Sequence, residues 1–111
     1  MPAKQTGLDL AIDGVFAVNE KYALIAMQAL RHVGKHIPTD TRVIGFTDGV
    51  LSRYATPGLS TVSQHGLQIG EKAAELLIER LEDEKEDKPS RTVVVETKLV
   101  ERESTSVLKK P

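Results

Sequence analysis

The sequence predicts an α/β fold, a partial parallel sheet with crossover helices that belongs to a larger domain. Three observations lead there. Residues 14–18 and 42–46 are short runs, apolar apart from Arg42, of the kind that form strands buried on both faces of a parallel sheet. Helical periodicity over 20–33 and again over 65–81 separates strand-like segments, which is the order of crossover connections. Two clearly central strands are too few for a complete doubly wound sheet, so the 111 residues hold part of one.

Each element has a local reason. Residues 1–13 lack a sustained period, although Leu8, Leu10 and Ile12 alternate. The first strand ends at Asn19, a favoured helix N-cap, and Glu20 puts a carboxylate in the first turn, where the macrodipole favours it. The helix over 20–33 carries one apolar stripe of Ala23, Met27, Leu30 and Val33. Beside it lies a second apolar surface of Tyr22, Ile25, Ala26 and Ala29, with Leu24 beyond both. One stripe suffices to cover a sheet, so the second predicts burial against another body. Gly34 stops the helix and Pro38 follows.

After 42–46, Thr47-Asp48-Gly49 turns the chain into a short helix over 50–55, which Pro57-Gly58 ends. Residues 59–63 read as a third extended segment. In the helix over 65–81, Ile69, Ala73, Leu76, Leu77 and Leu81 make an inward face, and Glu71, Lys72, Glu75, Glu79 and Arg80 an outward one. The charged stretch 82–91, with Pro89, reads as a solvated loop. Residues 92–101 read as an edge or half-exposed strand with Val93, Val95, Thr97 and Leu99 on one side.

Composition narrows the function. Fifteen basic against sixteen acidic residues give a net charge of -1, whereas a chain that grips nucleic acid by its own surface carries a basic excess. No apolar run approaches the roughly 18 residues of a membrane span, and the first residues lack a signal peptide's apolar segment. The absence of cysteine excludes a disulfide framework and a thiolate site, and fits the cytoplasm. Four aromatics and no tryptophan argue against a self-contained sugar-stacking site.

In a parallel α/β sheet, ligands sit beyond the carboxyl ends of the strands. Asn19 follows the first strand and Thr47-Asp48 the second; an amide and a carboxylate held there can hydrogen-bond the vicinal hydroxyls of a small polyol or sugar. The same residues also serve as an ordinary helix cap and turn, and spacing leaves both readings open. No metal site is expected: Gly34 interrupts the helix that would bring His32 and His36 to one face, and His65 lies far off. No G-x-S-x-G elbow surrounds a serine, so Ser63, His65 and Asp48 do not suggest a triad. No Walker loop or G-x-G-x-x-G occurs, and neither an enzyme nor a cofactor is expected.

Several segments together carry a family resemblance. Asp13-Gly-Val-Phe-Ala-Val-Asn-Glu-Lys-Tyr-Ala-Leu and Ile37-Pro-Thr-Asp-Thr-Arg-Val-Ile-Gly-Phe-Thr-Asp come first. Thr56-Pro-Gly-Leu-Ser-Thr-Val-Ser-Gln, Gly70-Glu-Lys-Ala-Ala-Glu-Leu-Leu and Leu99-Val-Glu-Arg-Glu-Ser-Thr follow in order. The series, from about Asp13 to Thr105, resembles the LacI/GalR family of transcriptional regulators.

The resemblance implies a periplasmic-binding-protein-like type I fold, in which two α/β subdomains close over an effector. The chain would be the C-terminal portion of such an effector-binding and dimerisation domain. Residues 13–58 would lie in the C-terminal subdomain and 59–64 would cross the hinge. Residues 65–105 would hold a helix of the N-terminal subdomain and the final strand. The family's DNA-binding headpiece has no counterpart in this sequence.

Position by position, the resemblance implies effector contacts at Asn19, Thr47, Asp48 and Gln64. Thr47 stands where many members have an aspartate that holds sugar hydroxyls, Glu20 where aspartate is usual, and Gly66 at a position that is sometimes aromatic. It implies a homodimer through Tyr22, Leu24, Ile25, Leu51 and Tyr54, in agreement with the second apolar surface of the first helix. The implied function is the sensing part of a cytoplasmic repressor of carbohydrate-related genes. Its partners would be a sugar or sugar derivative and, through the headpiece alone, DNA, with no membrane contact. The alternative on the same fold is a fragment of a soluble sugar-binding receptor.

Overall fold

A computed structural model describes residues 12–83 and 89–106; the alternation of Leu8 and Leu10 and half of the charged loop, residues 84–88, fall outside them. The chain runs β1 (Gly14–Ala17), α1 (Glu20–His32), β2 (Arg42–Phe46), α2 (Val50–Tyr54), β3 (Ser60–Ser63), α3 (Gly66–Glu82) and β4 (Lys98–Val100). A 3-10 turn over Glu103–Thr105 follows. The four strands form one sheet in the order β1-β2-β3-β4, parallel across the first three, with β4 antiparallel on the edge. The expected mixed α/β architecture and the edge character of the last strand are both observed.

Helix α1 is delimited by its own sequence. Asn19 has extended backbone angles, and its Oδ1 accepts the Tyr22 N–H at 2.9 Å. At the other end Gly34 takes φ +85°, its N–H donates to Arg31 O (2.9 Å), and the Lys35 N–H donates to Leu30 O (2.9 Å). This pair of bonds is a Schellman closure, which needs the left-handed residue that glycine supplies without strain.

The core lies between α1 and one face of the sheet. Ala23, Met27 and Leu30 of the helix meet Ala17, Val43 and Leu59, with Val15, Leu24, Ile37 and Ala55 packed around them. Gly45 lets the helix come close: a Cβ there would stand 3.1 Å from the Ala23 Cβ and 3.3 Å from Leu59 Cδ2. The predicted first stripe is thus the core face, except that Val33, past the helix end, is exposed.

Three expectations are corrected. The strands are not buried on both faces, because Phe16 and Val18 are about two-thirds exposed (67% and 70%), and with Phe46 they line a shallow apolar hollow. Leu24, expected to lie beyond both apolar surfaces of α1, is half-buried and packs on the core cluster. The stretch 92–101 pairs as a strand only at Lys98–Val100, where the sheet offers β3 as a partner.

Helix α3 stands apart. None of its 17 residues is buried, and Leu77 and Leu81 of the predicted inward face are largely exposed, while Leu76 is half-buried. The helix does not pack on the sheet. Its company is the returning chain: Ile69, Ala73 and Leu76 face Val93 and Val95, and Arg91 pairs with Glu79 at 2.9 Å. Of the residues 59–64 read as a crossover, Ser60–Ser63 are in the sheet, and Gln64 and His65 alone link it to α3.

Candidate functional site at the carboxyl ends of the strands

The three parallel strands β1, β2 and β3 end side by side, and Asn19, Thr47 and Gln64 follow them. The registers fix this: Ala17 pairs with Gly45, and Phe46 with Val62. Strands in a sheet are spaced at roughly 4.8 Å, so the three residues form a polar row across one end of the sheet. Asn19 and Gln64 are half-buried and Thr47 is exposed.

The three residues are held differently. Asn19 has its carbonyl oxygen engaged in capping α1. Among the described residues its amide nitrogen has no acceptor, which leaves a donor for a ligand. Thr47 adopts φ +76°, left-handed backbone that a β-branched residue rarely takes, and its N–H donates to Val62 O at 2.9 Å. Gln64 occupies the short link between the sheet and α3, followed by His65 at φ +53°. The His65 ring Nδ1 lies 2.7 Å from Glu96 O, which ties the start of α3 to the returning chain.

Asp48, expected beside Asn19 as a second ligand, has one carboxylate oxygen engaged within the fold. Its Oδ1 accepts from Thr61 Oγ1 at 2.8 Å and from Arg102 Nη1 at 2.8 Å, and its side chain is 12% exposed. The hydrogen bond from Arg102 holds its carboxyl below the usual carboxylate range, helped by Thr61 and opposed by partial burial. Asp48 is a half-buried tie between the loop after β2, β3 and the chain's last turn.

Glu20 also has a role that its first-turn position does not announce. Its Oε2 accepts from Gly49 N–H (2.8 Å), Ser52 N–H (2.9 Å) and Ser52 Oγ (2.5 Å). It therefore caps α2 from the neighbouring helix, 29 to 32 residues away, supplying the side-chain cap that Gly49 cannot. A Cβ on Gly49 would sit 2.6 Å from that carboxylate oxygen. The sequence signal for this was the coincidence of Glu20 at a helix start with a glycine N-cap elsewhere, which points to no particular pairing.

The last turn completes the frame. Ser104 is fully buried; its Oγ accepts from Ser60 N–H at 2.8 Å and donates to Val43 O at 2.5 Å. Ser60 Oγ accepts the Arg102 N–H at 2.7 Å.

On the outer side of α1 and α2, Tyr22, Ile25, Leu51 and Tyr54 are all more than half exposed, up to 80% at Tyr54. The fifth residue expected to pair copies of the chain, Leu24, is half-buried. Among the described residues, no cluster of three or more metal-binding side chains is present, and His32, His36 and His65 form no such group. No helix among them is long and apolar enough to cross a membrane.

Comparison with known proteins gives these residues a family. The periplasmic binding protein-like domain family matches residues 2–105. The ribose operon repressor of Haemophilus influenzae is 38% identical over 95 residues, covering 86% of this chain and 28% of the relative. The regulator CelR of Thermobifida fusca is 36% identical over 93 residues, covering 84% and 27%. The chain thus spans little more than a quarter of the length of these curated relatives.

Among solved structures, the complex of the transcriptional regulator CelR with cellobiose superposes with a TM-score of 0.78 at 35% identity, over 85% of this chain and 28% of that one. A LacI family regulator from Enterococcus faecalis V583 with bound ribose gives 0.75 at 35% identity, over 87% and 36%. The ordered segments, the parallel sheet with its antiparallel edge and these matches agree, and the chain belongs to the periplasmic binding protein-like domain family, among the LacI/GalR transcriptional regulators.

Proposed function

We propose that the chain is the effector-sensing and dimerisation part of a bacterial transcriptional repressor of carbohydrate-related genes, acting in the cytoplasm. The observation that carries this is the row of Asn19, Thr47 and Gln64 across the carboxyl ends of three adjacent parallel strands. All three side chains are neutral, and together they can donate to and accept from hydroxyl groups. The one carboxylate in the row's loop, Asp48, is engaged by Arg102. Such a set suits an uncharged polyhydroxylated effector, the chemistry of the ribose and cellobiose bound to related regulators.

In this reading the sheet with α1 and α2 is one subdomain and supplies one wall of the cleft. Helix α3 and residues 89–97 belong to a second subdomain, whose sheet covers Leu77 and Leu81, and Gln64–His65 form part of the hinge. Effector binding favours one closure of the two walls, and the difference reaches DNA through a headpiece outside this sequence. The exposed Tyr22, Ile25, Leu51 and Tyr54 pair two copies, with Leu24 supporting them from the core side.

The test is made on the complete regulator by light scattering behind size exclusion, with calorimetric titration of D-ribose and of cellobiose. The expected result is a dimer that binds a sugar. Tyr54→Asp weakens the dimer by about a hundredfold, because a charge enters a desolvated apolar patch. Asn19→Ala lowers sugar affinity by about tenfold, the loss of one or two hydrogen bonds. A wild-type protein that is a monomer, binds sugar and is unchanged by Tyr54→Asp points instead to the soluble receptor. A dimer blind to both sugars removes the sugar from the reading.

A further inference from the structure

The conformation of Thr47 needs a cause. A threonine at φ +76° is strained relative to ordinary backbone and persists only where its surroundings over-determine it. Its own N–H bond to Val62 O fixes one side. The other side is fixed through the next residue, since the Asp48 carboxylate is gripped by Arg102 and Thr61.

Arg102 is itself unusually well placed to grip. Its Nη1 donates both to Asp48 Oδ1 at 2.8 Å and to Leu59 O at 2.7 Å, so one nitrogen joins the loop after β2 to the start of β3. Its backbone is locked by Ser60 Oγ, and its side-chain stem lies against Gly58, where a Cβ would stand 3.4 Å away. With Arg102 18% and Asp48 12% exposed, the pair is shielded from water and is no ordinary surface ion pair.

We propose that Arg102 is a positioning residue of the effector site: by gripping Asp48 it holds Thr47 in its left-handed conformation at the end of β2. Arg102 touches no effector in this scheme. It sets affinity by fixing a contact residue in advance, so that binding does not have to order it. The inference rests on the effector reading above for its functional consequence, and on the hydrogen bonds for its structural one.

The experiment is residue-resolved amide exchange on the complete regulator, with Met27 in the core helix as the internal reference. In Arg102→Met the Thr47 amide is expected to exchange at least tenfold faster relative to Met27. Arg102→Lys keeps one charged nitrogen able to make both bonds and is expected to recover most of that protection. Asp48→Ala, which removes the Oδ1 that Arg102 and Thr61 bond, gives the same loosening at Thr47 should Arg102→Met fail to fold. Unchanged exchange at Thr47 overturns the proposal, and so does an equal acceleration at Met27, which is global destabilisation.

D-ribose and cellobiose titrations on the same variants read the consequence. Affinity is expected to fall about tenfold in Arg102→Met and to return in Arg102→Lys. Affinity unchanged while Thr47 loosens overturns the role in the effector site. A wild-type protein that binds neither sugar counts against the sugar reading, and the exchange at Thr47 still decides whether Arg102 positions it.

Discussion

The sheet region and the α3 region of this chain are built from similar material and end in different states. Helix α1 has 13 residues, three of them buried against the sheet; α3 has 17 and none buried. Both are amphipathic and both carry apolar faces of leucine, isoleucine and alanine. The difference is a partner: α1 has Val43, Leu59 and the gap above Gly45, while α3, among the described residues, has the returning chain at Val93 and Val95. An apolar stripe establishes that a helix can be buried, and the opposite surface decides whether it is.

The largest test of that contrast pairs Leu30→Ala in α1 with Leu77→Ala in α3. Leu30 is fully buried, so its truncation is expected to cost about 2–5 kcal/mol in urea unfolding. Leu77 is 59% exposed, and in this chain alone its loss is expected to stay within about 0.5 kcal/mol. Equal effects would mean that α3 is packed in solution in a way the sheet region does not reveal. In the complete regulator the Leu77→Ala cost should rise, and that increase measures how much of the second subdomain the helix joins.

Ser104→Ala comes next. It leaves the Ser60 N–H without its acceptor in a buried site and is expected to cost about 1–3 kcal/mol by the same measurement. A negligible cost would show that the last turn is not what fastens β3 to β2.

Glu20→Ala removes the cap that α1 lends to α2 and is expected to cost about 1 kcal/mol, with early loss of exchange protection in 50–54. Loss spread evenly over the sheet would argue that Glu20 supports more than α2.

The smallest effect is in pH. Because Arg102 lowers the Asp48 carboxyl below its unfolded value, the stabilisation from this group is complete above about pH 4 and disappears as pH falls through the lower, folded value. Asp48→Asn should therefore flatten the acid side of the stability profile and leave the slope near neutrality unchanged. Identical profiles would place the acid sensitivity in other carboxylates.

Much of the fold was legible from residues with local meaning. Asn19 and Gly34 delimit α1 because a cap and a left-handed stop act within one turn of the chain. The run Arg42–Phe46 is β2 as read, because a short apolar segment between breakers has few alternatives. The placement of Asn19 and Thr47 at strand ends was also readable, since it follows from strand boundaries and parallel order, whereas Gln64 was implied by the family resemblance alone.

What resisted reading was every choice that depends on a distant partner. Leu24 looked like an outer residue because helical spacing gives an angle but not the width of the groove it falls into. The bond of Asp48 to Arg102 was not readable because nothing near Asp48 reveals a partner 54 residues away. Phe16 looked like a core residue because an apolar run does not say which faces are covered.

By itself, then, the sequence determined the helices, the strand runs, their crossover order and the family. All of these rest on interactions within a few residues or on a pattern that survives without coordinates. The tertiary structure alone decided that Glu20 caps another helix, that Asp48 ties the sheet to Arg102, and that Thr47 takes a left-handed conformation at the end of β2. The physical reason is that hydrogen bonds and packing are satisfied in space. A carboxylate takes whichever donors the fold brings to it, and chain distance carries no trace of that choice.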